Sequence, residues 1–172
     1  MSLETLMQLK TRQAQRRDEC IAAGVLPDPN RPGLLEDAAK LVGTCMDMCP
    51  EYERVEREVQ KELDRWEVVP GTTHADPTAA VKIYRRPAAG RELPLPEDVR
   101  PPAVLEKTLN YLFHTLLPSD PRDPLFAAVQ PFLWNRTRAI RQDFIVQSDR
   151  GRTAIACHER IARYHILCLH WK

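Results

Sequence analysis

TAIACHERIARYHILCLHW, residues 153–171, decides the fold class. Within it Ala154, Cys157, Ile161, Tyr164, Cys168 and Trp171 recur at alternating spacings of three and four. That period lines them along one stripe of an α-helix and fits neither face of a strand. The spacing therefore predicts a helix from about Thr153 that carries a packing seam. Ile166, Leu167 and Leu169 make its last turns apolar on several sides and no helix stop signal follows. A chain cut short on its C-terminal side is expected.

Working back, the same period places Leu133, Thr137, Ile140 and Phe144 on one stripe of a helix running to about Gln147. Pro131 is expected to kink or restart that helix, because proline lacks the amide hydrogen and its ring crowds the preceding turn. Val104 to Leu117 reads as the most apolar helix, around Leu105, Leu109, Leu112 and Leu116. Asp76 followed by Pro77 predicts a capped helix through Val81 and Tyr84 that stops before Pro87. Tyr52, Val55, Val59, Leu63 and Trp66 predict a helix from Pro50 to Trp66 with one apolar face. Leu34, Leu35, Ala38, Leu41 and Val42 predict a short helix that Gly43 closes in a left-handed cap. Ser2 caps a first helix to about Ala23, and the prolines between Gly24 and Gly33 make a linker. The expected architecture is all-α, a stack of helical hairpins like a helical-repeat solenoid, divided into an N-terminal arm (1–42) and a helical domain (43–172).

Composition narrows the function classes. Lys and Arg nearly balance Asp and Glu for a formal charge of +1, so no general basic field draws the chain onto nucleic acid. Fifteen prolines against six glycines suit punctuated helices better than glycine-turned hairpins. Cys20, Cys45, Cys49, Cys157 and Cys168 form an odd set without a signal peptide, read as reduced thiols of an intracellular, soluble protein. No stretch approaches a membrane span, and Glu4, Asp18 and Glu19 argue against a mitochondrial presequence. Cys45 and Cys49 with Cys157 and His158 lack the matched pairs of a zinc site, so no cofactor or metal is expected. His74, His114, His158, His165 and His170 are scattered, and no nucleophile with its base stands out.

Two stretches are too particular for generic helix: GTCMDMCPEYERVER (43–57) and FLWNRTRAIRQDF (132–144). They resemble the two signature stretches of the Sac/GANP family, also called the leucine permease transcriptional regulator family. AVKIYRRPAAG (80–90), LPEDVRPP (95–102) and ERIARYHI (159–166) resemble the family's other landmarks in the same order. The resemblance implies a non-enzymatic scaffold subunit of the transcription-and-export complex, coupling transcription to mRNA export at the nuclear pore. It implies a PCI-like helical stack whose winged-helix end lies beyond this chain. The implied partners are a PCI-domain subunit and a small acidic subunit, with an mRNA-export receptor and a DEAD-box ATPase as further ones. Cys45, Cys49, Pro50, Glu53, Arg54 and Arg57 are carried over as family-motif residues with a structural part.

Two features admit two readings each. The charges between Glu53 and Lys61 include favourable i,i+4 pairs, Glu53 with Arg57 and Arg54 with Glu58. They form either a solvated face or partly buried pairs that brace a neighbouring helix. Trp134, Arg138 and Arg141 share one helix flank, where they either contact RNA or serve packing, with Arg pairing to Asp143 or stacking on Trp134. Lys82, Arg85, Arg86, Arg91 and Arg100 make a locally basic, loop-rich stretch, and with Arg136 they complete the candidate RNA or partner contacts.

Overall fold

A computed structural model describes residues 2–28, 41–86 and 93–171. Within them the chain is all-helical: α1 (Leu3–Ala22), α2 (Glu51–Val59), α3 (Pro102–Tyr111), α4 (Pro124–Val146) and α5 (Arg152–His170). No strand forms among the described residues; Val68 and Ala75 make one isolated antiparallel bridge.

α3, α4 and α5 pack on one another, while α1 lies against α2. The seam of α5 is buried through Ala154, Cys157, Ile161, Tyr164 and Cys168, whereas Trp171, the last position expected on it, is exposed at the C-cap. It meets Leu105, Leu109 and Leu112 of the α3 segment and Leu133, Ile140 and Phe144 of α4 in the main core. Fully burying one such side chain contributes roughly 1.5–3 kcal/mol. A second, smaller core joins Cys20 and Leu26 to Leu41, Leu95 and Val99.

Several expected elements differ. α2 stops at Val59, not Trp66: Lys61 takes a left-handed φ of 58°. Its amide bonds to the Glu58 carbonyl and that of Glu62 to the Arg57 carbonyl, a Schellman closure built without glycine. Ser148 (φ 50°) closes α4 in the same way, and Gly24 closes α1. Residues 80–86 form neither helix nor strand. Asp76 caps a single turn, its carbonyl accepting from the amides of Ala79 and Ala80. α3 ends in a π-type turn, Leu112–Leu116, before Pro118. α4 runs through Pro131 without a break, its neighbours Val129, Phe132 and Leu133 being buried; their burial outweighs the ~3 kcal/mol cost of an interior proline. Of the expected helix before Gly43, residues 34–40 lie outside the described ones, and Leu41 to Met46 is not helical.

Gly43 is not a left-handed cap, since only Gly24 and Gly71 have positive φ among the described glycines. A Cβ on Gly43 would lie 2.5 Å from the Val99 carbonyl oxygen and 2.9 Å from the Gln147 Oε1. Close approach of two backbones demands glycine there.

Candidate functional site

The two non-helical segments pose a problem: their amides are buried or partly buried outside any sheet, and each unpaired buried amide is costly. Charged and amide side chains of α2, of the turn after it, and of α4 and its C-cap solve it. Val81 donates to Glu67 Oε1 (3.0 Å) and Ile83 to Glu53 Oε1 (2.7 Å), while Tyr84 donates to Asn135 Oδ1 (3.0 Å). On the second segment Gly43 donates to Gln147 Oε1 (2.9 Å), whose Nε2 donates to the carbonyls of Arg100 and Asp143.

Two ion clusters form where these segments cross. In the first, Glu67 Oε2 accepts from Arg57 Nη1 (2.6 Å) and Arg136 Nη2 (2.7 Å), with both Glu67 and Arg57 side chains 0% exposed. Arg57 Nη2 also donates to the Val81 carbonyl and to Cys49 Sγ. Burial alone would push the Glu67 carboxyl upward; the Arg57 hydrogen bond and both guanidinium charges outweigh it and hold it below the usual carboxylate range. In the second cluster Asp143 Oδ2 accepts from Arg100 Nε (2.8 Å) and Oδ1 from Lys82 Nζ (2.7 Å), while Arg100 Nη1 reaches the Met48 carbonyl.

The six motif residues all lie at this crossing. Pro50 is buried at the N-cap of α2. Arg54 is buried and donates to the Cys49 carbonyl and to Asp47. Glu53 pairs with Arg57 at 3.4 Å, whereas Arg54 does not reach Glu58, which holds His74 instead. Cys45 and Cys49 are buried free thiols. Burial raises the Cys45 thiol, and burial with the nearby Glu53 pushes Cys49 up to about 12, so neither is poised as a thiolate. No group of three or more His, Cys, Asp or Glu among the described residues is placed to hold a metal ion.

The eight candidate contact residues do not form one surface. Lys82, Arg100 and Arg136 are engaged in the ion clusters. Arg85 pairs with Glu56 at 2.9 Å, and Arg86 is exposed. Arg138 stacks on Tyr84 at 3.9 Å, not on Trp134, and Asp143 pairs with neither Arg138 nor Arg141. Trp134, 42% exposed, sets its ring edge-on to His165. Arg141 is exposed beside them. Glu67 was missed because a helix continued to Trp66 would put it among solvated charges; nothing local marks it as buried. Gln147 sat unremarked at a helix end.

Four of the quoted stretches thus meet in space: 43–57 and 80–86 with 95–102 and 132–144. The profile of the SAC3/GANP family matches residues 48–172. The chain belongs to the SAC3/GANP family. It is 50% identical over 163 residues to SAC3 family protein 1 of Schizosaccharomyces pombe, covering 95% of this chain and 16% of that protein. It is 37% identical over 153 residues to SAC3 family protein B of Arabidopsis thaliana, which is 88% of this chain and 8% of that one. Against Protein xmas of Drosophila melanogaster it is 38% identical over 130 residues, 73% of this chain and 6% of the relative. The chain therefore spans about a sixth or less of the SAC3-family relatives it matches. Coverage at 95% by the yeast relative extends the likeness into the first forty residues, beyond the resemblance read from the signature stretches.

Proposed function

We propose that this chain is the helical entry of a scaffold subunit that works in nuclear mRNA export, coupling transcription to export at the nuclear pore. Membership of the SAC3/GANP family supports the export role. The observation that carries the scaffold reading is the burial of the signature charges. Glu67, Arg57, Arg100 and Asp143 are sealed from solvent and paired within the two clusters, so no substrate reaches them without unfolding. Charges placed so fix how segments cross and hold a rigid body for partners to grip. The PCI-domain subunit, the small acidic subunit, the export receptor and the DEAD-box ATPase are the partners this reading assigns to the whole protein.

Depletion of the full-length protein from its own cells, with poly(A) RNA followed by in situ hybridisation, tests the role. Nuclear accumulation of poly(A) RNA, reversed by the wild-type protein and not by Glu67→Gln, is expected. An unchanged distribution on depletion contradicts it.

Direct RNA binding is the second reading. Half-exposed Trp134 beside Arg141 offers a stacking face next to a cation that has no ion pair among the described residues. A salt-dependent anisotropy titration with single-stranded RNA, lost in Trp134→Ala/Arg141→Ala, would put it first.

A further inference from the structure

α1 is seated differently from the other helices among the described residues. Of its 20 residues only Cys20, near the C-terminal end, is buried, where it joins the small apolar core. Upstream, Leu6 and Leu9 are only half-buried, and among the described residues the hydrogen bonds that hold the helix come from polar side chains. Gln13 Nε2 donates to both carboxylate oxygens of Asp98 (3.0 and 2.9 Å), Arg16 Nε reaches Glu97 at 3.2 Å, and Arg17 Nη1 reaches the Leu93 carbonyl at 2.9 Å. Two clefts of about 350 Å³ each open beneath these contacts, so α1 rests on the body without filling the space under it. Leu3 and Met7 are exposed.

Charge explains the seat. Residues 10–17 carry Lys10, Arg12, Arg16 and Arg17 and no acid. The clefts they overhang are lined by Glu51, Glu53, Glu56, Glu97 and Asp98. Of these, Glu53 and Glu56 have their own partners in Arg57 and Arg85, which leaves Glu51, Glu97 and Asp98 facing α1. Gln13, Arg16 and Arg17 stand at i, i+3 and i+4, the spacing at which any helix presents three side chains on one face.

We propose that this acidic face is a docking site for a basic helix of a partner protein, and that α1 occupies it in cis as a displaceable latch. Partly exposed ion pairs each contribute little and are screened by salt, so the polar seat releases easily while the Cys20 end keeps the helix tethered. A partner helix offering an amide and two cations at the same spacing makes the same contacts. The site would serve in this way whatever pathway the chain works in.

A fluorescein-labelled synthetic peptide of residues 2–23 is the probe, titrated by anisotropy onto the full chain and onto a Gln13→Ala/Arg16→Ala/Arg17→Ala variant. The variant unseats the latch and leaves the acidic face intact. The peptide is expected to bind the variant about tenfold or more tightly than the wild type, the equivalent of ~1.4 kcal/mol. Adding Glu51→Gln and Glu97→Gln to the variant, or raising NaCl to about 500 mM, is expected to remove the gain. Far-UV circular dichroism and a cooperative melting transition verify that both chains are folded. Equal binding to wild type and variant, or equal binding of a scrambled peptide of the same composition, overturns the proposal.

Discussion

The α2–α4 crossing and the seat of α1 on residues 93–98 both pair carboxylates with arginines, yet they differ in what surrounds the charges. At the crossing, Arg57 and Glu67 are 0% exposed; under α1, Arg16 and Glu97 are 44% and 38% exposed. Removing one partner of a buried pair strands a charge in low dielectric, at a cost of roughly 3–5 kcal/mol. An exposed pair contributes about 0.2–1 kcal/mol and fades with salt. The same chemistry thus fixes one region and leaves another free to move, and the fixed one lies within residues 48–172, which match the family.

The largest expected effect comes from Glu67→Gln, which leaves Arg57 and Arg136 buried beside a neutral amide. Urea unfolding should show a loss of roughly 3–5 kcal/mol, and a loss below 1 kcal/mol breaks the contrast. Gly43→Ala forces a methyl against the Val99 carbonyl and should cost on the order of 1–3 kcal/mol, measured in the same way. Asp98 sharpens the picture through pH. Burial, opposed by the Lys82 charge and the Gln13 hydrogen bond and aided by the repulsion of Glu97 and Glu53, pushes its carboxyl up to about 6. A carboxyl raised on folding contributes stability below its unfolded pKa and loses it as pH rises through the folded one. From pH 5 to pH 7 the wild type should therefore lose stability relative to Asp98→Asn; a gain would reverse the assignment. Arg16→Ala should cost no more than about 1 kcal/mol. Lys61→Gly, which relieves a left-handed residue, should raise stability by ~0.5–1 kcal/mol.

Much of the fold was legible because apolar period reports burial directly. The α5 stripe, Leu105, Leu109 and Leu112, and the Ser2 cap of α1 were all readable from spacing. Period says nothing where polar side chains do the packing. The end of α2 was hidden because Lys61 and not glycine takes the left-handed position, and the non-helical course of residues 80–86 because its amides bond to Glu67, Glu53 and Asn135. A charged helix face looks alike whether water or a second helix covers it, so the Glu53–Arg57 face stayed ambiguous until Glu67 was placed. Asp143 was legible as a carboxylate for an arginine, but its partners Arg100 and Lys82 come from other elements.

Native-state amide hydrogen exchange on the full chain tests the contrast most directly. α4 amides around Arg136 to Asp143 should exchange only through global unfolding. Those of α1 around Thr11 to Arg17 should exchange through a local opening several kcal/mol less costly and become faster as salt is raised. Equal protection of the two helices, insensitive to salt, would contradict the account.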